Sequence, residues 1–170
     1  MSPAIHVEIT NRQSSYSVPQ SSFYDAARTV LTGEGFHRGE IGIAVVDNRE
    51  IHAFNQRFLQ HDYPTDVITF PMDATDEFLS GEIMLSAEYA AGEARLHGWK
   101  VEEEMTLYVV HGCLHLAGYD DHEEQDQQAM RERERHYLKQ IGIVYAGLGE
   151  SSPSKPSAAD SSRASHPGAS

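Results

Sequence analysis

A helical segment at residues 101–117 constrains the fold of this chain more than any other feature. Apolar side chains occur almost all round the predicted helix, so it must be buried on nearly every side. Gly118 follows directly, and glycine readily adopts the left-handed conformation that ends helices. The sequence therefore predicts a central helix that other elements cover and that ends at Gly118.

Strand patterns and further helical patterns lie on both sides of this segment. Residues 41–47 are apolar on both faces, which predicts a central strand. Alternating or short apolar runs predict the other strands at 4–10, 66–71 and 81–86, and helical spacing predicts helices near 21–35, 48–58, 87–98 and 123–141. This order predicts an α+β fold, in which one domain has a small four-stranded mixed sheet packed with about five helices.

Polar residues at the predicted helix starts indicate N-caps. We expect Ser21 or Ser22 to cap the first helix, Asn48 the second and Ser86 the third, because these side chains can accept hydrogen bonds from unpaired backbone N–H groups. Gly98 is expected to end the third helix.

The length and the C-terminal composition indicate one domain and a tail. A chain of 170 residues is long enough for one sizeable core. We assign the domain to residues 1–146. Residues 147–170 are rich in Ser, Pro and Ala, so they are expected to be disordered because they cannot bury enough apolar surface.

Composition narrows the location of the protein and the partners it can have. Cys113 is the single cysteine, so no internal disulfide can form. The N-terminus does not resemble a signal peptide, and no apolar run reaches the roughly 18–20 residues that span a bilayer. A cytoplasmic protein without a membrane partner is therefore expected. The net charge of −13 argues against strong binding to nucleic acid, which normally relies on clustered cations.

Two histidines near the end of the central helix indicate a metal site. His111 and His115 are four residues apart, so their rings project from the same helix face. Their neighbours are apolar, and two adjacent buried imidazoles are costly unless their nitrogens find partners. A divalent cation binds neutral imidazole and removes that cost. We therefore predict a metal site at the end of the buried helix, where the alternative is a pair of hydrogen-bonded core histidines.

The turn after Gly118 offers the third ligand. It carries Asp120, Asp121 and His122 back toward the helix end. This ligand set favours one Zn²⁺ ion per chain. Three protein ligands leave one coordination position open, as in catalytic zinc sites, where the ion activates a water molecule as nucleophile.

Gly112 distinguishes this pattern from the His-Glu-x-x-His motif of metalloproteases. That motif has a glutamate after the first histidine as general base, and this chain has glycine there. A zinc peptidase is therefore disfavoured. Because glycine is a poor helix former, we expect Gly112 to leave room beside the metal. Cys113 points away from the two histidines and is expected to be a small core residue.

Three segments resemble a known family. "HGCLHLAGYD" (111–120) is similar to the signature His-Gly-x-Leu-His-Leu-x-Gly-Tyr-Asp-His of the YbeY family of bacterial rRNA maturation factors and metal-dependent endoribonucleases. "PTDVITFP" (64–71) and "GEIMLS" (81–86) resemble two further family segments, and all three occur in family order. The resemblance covers roughly residues 4–142.

The resemblance implies an α+β fold with a zinc ion held by three histidines in a cleft. It also implies cleavage of single-stranded RNA, 3′-end maturation of 16S rRNA, and a role in ribosome quality control with the ribosome or its proteins as partners. His111 and His115 match the first two ligands. The third histidine of the signature falls on Asp121. Either Asp121 binds in its place or the loop shifts and His122 binds, and the preference of zinc for imidazole favours His122.

A second departure lies before the "PTDV" segment. The family has an arginine there that is thought to contact phosphate, and this chain has Leu59 at that register. Arg57 is the nearest cation, so it is the candidate phosphate contact; the alternative is a solvated helix residue. The alternative to an enzyme is a ribosome-assembly factor in which the metal only stabilises the turn.

Overall fold

A computed structural model describes residues 4–59 and 67–144 of the chain. The strands are β1 (Ile5–Asn11), β2 (Arg38–Val46), β3 (Val67–Ala74) and β4 (Phe78–Ser86). The helices are α1 (Gln20–Gly33), α2 (Asn48–Phe54), α3 (Ala87–His97), α4 (Val101–Leu116) and α5 (Glu124–Gln140), and a π-helical turn (Asn55–Leu59) follows α2. The predicted tail at 147–170 lies outside the described residues.

The four strands form one mixed sheet in the order β1-β2-β4-β3. β1 and β4 both pair with β2 in parallel, whereas β3 pairs with β4 in antiparallel orientation. The predicted central position of residues 41–47 is confirmed, because β2 lies between two neighbours. The predicted α+β fold, with a four-stranded mixed sheet and five helices, is also confirmed.

The two faces of the sheet are covered unequally. Ile43 and Val45 point into the main core, which buried side chains of α1, α3, α4 and α5 complete. The alternate β2 residues Ala44 and Val46 point to the opposite face, where Ile51 of α2 packs in a smaller cluster. α4 therefore lies inside the larger layer, between the sheet and the other helices.

Close packing of α4 on β4 explains Gly112. Gly112 is buried, and a Cβ atom added to it would lie 2.9 Å from Cδ1 of Ile83. The prediction that Gly112 leaves room beside a metal is therefore wrong, because the glycine allows the helix to approach the sheet. Gly81 of β4 likewise leaves room for Leu116 of α4, because a Cβ atom added to Gly81 would lie 2.6 Å from Cδ2 of Leu116.

The ends of α3 agree with the sequence, and the starts of α1 and α2 do not. Ser86 caps α3 by accepting a hydrogen bond from the Tyr89 N–H at 3.1 Å, and Gly98 ends it in the left-handed region at φ 76°. Asp47, not Asn48, caps α2, since its Oδ1 accepts the Glu50 N–H at 2.9 Å. α1 begins at residue 20, after a proline, and has no side-chain cap.

Within residues 4–59 and 67–144, no helix is long and apolar enough to cross a bilayer.

Candidate metal centre

The rings of His111 and His115 face each other on the last turns of α4. Their centroids are 4.6 Å apart at an interplanar angle of 79°, and the two Nε2 atoms are 3.1 Å apart. Both side chains are partly exposed, at 20% and 25%. The helical spacing therefore brings the two imidazoles together as the sequence predicts, at a position that solvent can reach.

The hydrogen bond at Nδ1 of each ring fixes the tautomer of that ring. Nδ1 of His111 lies 2.5 Å from Oε2 of Glu134 on α5, and Nδ1 of His115 lies 3.0 Å from the carbonyl oxygen of Tyr119. A carboxylate and a carbonyl only accept hydrogen bonds, so both Nδ1 atoms must donate. In the neutral rings both Nε2 atoms then carry lone pairs, and these lone pairs point to the same place.

The chain reversal at Gly118 positions the carbonyl that His115 contacts. The Gly118 N–H donates to the His115 carbonyl and the Tyr119 N–H to the Leu114 carbonyl, both at 3.0 Å, which is a Schellman motif. Gly118 has φ 111°, in the region that favours glycine. The predicted stop after the central helix is therefore confirmed, and the stop itself orients one imidazole.

Asp121 completes a three-residue group with the two histidines. Its Oδ2 lies 3.4 Å from Nε2 of His115 and 3.6 Å from Nε2 of His111. Among the described residues, the ligand atoms of this group all lie within 4.8 Å of one another. The structure therefore brings together three of the residues that the sequence singled out.

His122 contacts Asp120, and among the described residues it forms a second group with Asp120 and Asp121 whose ligand atoms lie within 4.8 Å of one another. Its Nδ1 lies 3.1 Å from Oδ1 of Asp120, and its side chain is 64% exposed. The same Asp120 oxygen accepts the backbone N–H groups of Asp121 at 2.7 Å and His122 at 3.3 Å. Asp120 thus shapes the turn and contacts His122, while Asp121 faces the two rings.

The charge state of Asp121 suits a cation ligand. Burial acts to raise its pKa, but a hydrogen bond with His115 and the charges that His111, His115 and His122 carry when they are protonated outweigh burial, so the pKa lies below its usual range. The carboxylate is therefore ionised at neutral pH.

The separations of the three donor atoms fit one small ion. A tetrahedral ion with bonds of roughly 2.0–2.2 Å holds neighbouring ligand atoms roughly 3.3–3.6 Å apart. Two observed separations, 3.4 and 3.6 Å, lie in this range, and the third, 3.1 Å between the two Nε2 atoms, is slightly shorter. Two imidazole nitrogens and one carboxylate oxygen are also a donor set that zinc and other divalent transition metals accept. The residues therefore fit a metal ion, which His111, His115 and Asp121 would hold.

Cys113 takes no part in this group. It is fully buried in the main core, and burial raises the pKa of its thiol to about 12. The thiol is therefore protonated at neutral pH, when a metal ligand or nucleophile would need to be a thiolate. The prediction of a small core residue is confirmed.

Arg57 lies in the π-helical turn, and its side chain is exposed. This turn directly precedes residues 60–66, which lie outside the described part of the chain. Thr65 and Asp66 of the "PTDV" segment are among these residues. Within the described residues nothing tests whether Arg57 contacts a phosphate, so that role stays a prediction.

Sequence reasoning missed Glu134. It is buried, at 6% exposure, although α5 is rich in exposed charged residues. Glu134 lies four residues after Met130 and four before Leu138, and both are core residues of α5. A glutamate in the middle of an apolar helix face is the signal that could have found it, because such a carboxylate needs a buried partner.

A hydrogen-bonded cluster next to the site joins α1 to α5 and to the turn. Glu34 accepts hydrogen bonds from the Tyr137 hydroxyl at 2.5 Å, Arg133 Nη2 at 2.8 Å and the Tyr119 hydroxyl at 3.1 Å. Burial acts to raise the pKa of Glu34, but these bonds and the charge of Arg133 outweigh it and lower the pKa. Since the carbonyl of Tyr119 also contacts His115, this cluster holds the turn that faces the metal position.

The fold and the site together define a class of protein. The class is that of α+β domains with a candidate metal centre. One helix supplies two imidazoles and the turn that follows it supplies a carboxylate. Comparison with known proteins makes the assignment more specific. The model of the family described as endoribonuclease YbeY matches residues 8–142.

Individual relatives agree with this match. Endoribonuclease YbeY of Rhodopirellula baltica is 42% identical over 120 residues, which are 69% of this chain and 62% of that relative, so the chain spans less than two thirds of it. Endoribonuclease YbeY of Carboxydothermus hydrogenoformans is 36% identical over 80% of this chain and 97% of that relative. The chain therefore belongs to the YbeY family, as its sequence segments indicate.

A solved structure shares the fold. The solution structure of TM1509 from Thermotoga maritima superposes with a TM-score of 0.60 and 28% sequence identity, and the match covers 79% of this chain and 88% of that one.

Proposed function

We propose that this protein is a metal-dependent endoribonuclease that cleaves single-stranded RNA and binds one Zn²⁺ ion per chain. The observation that carries the proposal is the convergence of Nε2 of His111, Nε2 of His115 and Oδ2 of Asp121 at separations that suit one ion. Membership of a family described as endoribonucleases supports RNA as the substrate.

The geometry supports a role for each of the three residues. His111, His115 and Asp121 hold the ion, and their partial exposure leaves one side of the site open to substrate. When bound, the ion supplies Lewis acidity and a means of activating water near neutral pH. The two Nδ1 hydrogen bonds keep both rings in the tautomer that leaves Nε2 free to bind metal.

The substrate we propose is the 3′ end of 16S rRNA in the cytoplasm, with a further role in ribosome quality control. The net charge of −13 supports weak binding to free RNA, because few cations are available to release counterions from phosphates. We therefore propose that the ribosome or a ribosomal protein adds contacts and gives specificity. Arg57 stays the candidate for a phosphate contact.

Peptidase chemistry is less well supported by the site. A peptidase needs a carboxylate as general base beside the metal. Glu134 approaches His111 at Nδ1, on the side of the ring away from Nε2, and Asp120 is engaged with the turn. The assembly-factor alternative, in which a metal only stabilises the turn, makes a different prediction for a ligand variant.

Metal analysis combined with cleavage of a single-stranded RNA tests the proposal. We expect about one equivalent of metal in the wild type and cleavage that a chelator abolishes. His115→Ala should lose both metal and activity yet keep the circular dichroism of the fold. His37→Ala changes an exposed histidine and should behave like the wild type.

Three results would contradict the proposal. Wild-type protein that takes up no divalent ion overturns the metal site. Cleavage of peptide but not RNA favours a peptidase. An unfolded His115→Ala variant, together with metal-bound wild type that cleaves no RNA, favours the assembly factor.

A further inference from the structure

We propose that Glu134 is a positioning residue for the metal ligand His111. The inference rests on the proposed metal site and extends it to a residue that would not touch the metal. Glu134 Oε2 lies 2.5 Å from His111 Nδ1, so the carboxylate accepts a hydrogen bond from the ring N–H and leaves the opposite nitrogen to bind the ion.

Burying the Glu134 carboxylate carries a desolvation cost that its contact with His111 must offset. Its side chain is 7% exposed and lies on the face of α5 that also buries Met130, Tyr137 and Leu138. Removing a carboxylate from water carries a desolvation cost that is comparable with the gain from the ion pair itself. An apolar side chain at this position would pack without that cost. The short contact with His111 is therefore the feature that distinguishes glutamate from leucine or methionine here.

The two histidines have different partners behind them. Nδ1 of His115 donates to a neutral backbone carbonyl, whereas Nδ1 of His111 donates to a carboxylate. An anionic acceptor makes an imidazole a stronger donor to a metal, and it also restricts rotation of the ring. Glu134 should therefore strengthen binding through His111 in particular.

Glu134 also affects the charge of the site. Asp121 contributes one negative charge beside the donor atoms, and Glu134 contributes a second through the His111 ring. Together these two carboxylates balance the two positive charges of a divalent ion. Both side chains are shielded from solvent in part, so their charges act more strongly on the ion than they would in water. We therefore expect Glu134 to raise affinity for the ion itself, before any RNA binds.

The competing interpretation is a purely structural contact that fastens α5 to α4. In that case a variant loses stability, but its folded molecules bind metal as tightly as the wild type. The measurement must therefore be metal affinity of folded protein, accompanied by thermal unfolding of the metal-free form.

The experiment compares Glu134→Ala, Glu134→Gln and the matched control Glu132→Gln. Glu132 lies on the same helix and is exposed, so the control removes the same charge away from the site. Dissociation constants for Zn²⁺ are measured by competition with a chelator, and absorption spectra of the Co²⁺ form report the ligand geometry. We expect a loss of about 10- to 100-fold for Ala, about 5- to 10-fold for Gln and no change for the control.

A second comparison assigns the effect to His111. In a His111→Ala background, Glu134→Gln should change the residual Zn²⁺ affinity much less than in the wild type, because the ring that Glu134 orients is absent and only the charge of the carboxylate still acts. If Glu134→Ala does not fold without metal, the nearly isosteric Gln variant still decides the question.

The outcomes separate the two proposals. Wild-type affinity and spectra in Glu134→Gln, or an equal effect of this substitution with and without His111, overturn the positioning role while the metal site stands. Absence of Zn²⁺ binding in the wild type instead overturns the proposed function, and the positioning role with it.

Discussion

Asp121 Oδ2 lies 3.4 Å from Nε2 of His115, in a position where the family signature has histidine. The adjacent His122 instead directs Nδ1 to Asp120. The turn thus orients the two neighbouring candidates differently, and the carboxylate is the one that lies beside the imidazoles.

Alanine substitutions of these neighbours should have opposite outcomes. Asp121→Ala removes a proposed ligand and should weaken Zn²⁺ binding by at least about tenfold. Loss of a residue that only hydrogen-bonds a metal ligand already costs about that much, so loss of a ligand should cost no less. His122→Ala should leave the affinity unchanged, because its ring faces Asp120. Both are measured by chelator competition. Loss of metal in His122→Ala alone would show that the turn rearranges when the ion binds.

Gly112→Ala should destabilise the fold without affecting the metal. The new methyl group meets Ile83 at 2.9 Å, and overpacking of a core typically costs about 1–3 kcal/mol. Urea denaturation measures the loss, and Ile83→Val, which removes Cδ1, should restore part of it. A Zn²⁺ affinity that falls in the folded variant would contradict this explanation of the glycine.

Gly118→Ala should weaken both the helix end and the metal site. A non-glycine residue held at φ 111° costs on the order of 1–3 kcal/mol. Relaxing this strain displaces the Tyr119 carbonyl from His115, so Zn²⁺ affinity should fall with stability. The control is Gly98→Ala, which strains the end of α3, outside the candidate metal centre, at φ 76°. It should lower stability but leave Zn²⁺ affinity unchanged.

Glu34 should make stability depend on acid pH. Its pKa is lowered from the ordinary value near 4.5 in the folded protein, so its contribution is fully present above that value. Stability should fall as the pH drops below about 4.5 through the folded pKa, because the unfolded chain binds the proton first. Glu34→Gln should be less stable at pH 7 and lose less on acidification. Parallel pH curves for the two proteins would refute this role.

Tyr137 should set a limit at alkaline pH. Burial, its hydrogen bond to Glu34 and the charge of Glu34 raise its pKa from 10 to about 12. The stabilisation is present below pH 10 and should be lost as the pH rises toward 12, since the unfolded tyrosine ionises first. Thermal unfolding of Tyr137→Phe should show a flatter decline over this range, and an unchanged slope would exclude Tyr137 as the cause.

Local sequence signals are sufficient for much of the fold and for the pairing of the two histidines in the candidate site. The spacing of His111 and His115 places both rings on one helix face whatever surrounds them. The left-handed glycine at position 118 and the Ser86 cap depend only on neighbouring backbone groups. The central strand at 41–47 follows from its two apolar faces. Each of these features is decided within a few residues of chain.

Features decided by tertiary contact were harder to predict. The choice between Asp121 and His122 depends on the turn that Asp120 organises, which spacing does not specify. The role of Gly112 is not visible in the local sequence, because its neighbour Ile83 comes from a strand that is distant in sequence. Glu134 was missed since its partner lies on another helix. Asp47 caps α2 in place of Asn48, a shift of one residue at a helix end.

Cys113 lies between the two histidines in sequence, yet its side chain is fully buried on the core side of α4, and it is the single thiol of the chain. An alkylating reagent can reach this sulfur only when α4 separates from its neighbours. The labelling rate under native conditions therefore measures how often that helix opens. Without any engineering, the protein carries its own chemical reporter of how often its candidate metal centre comes apart.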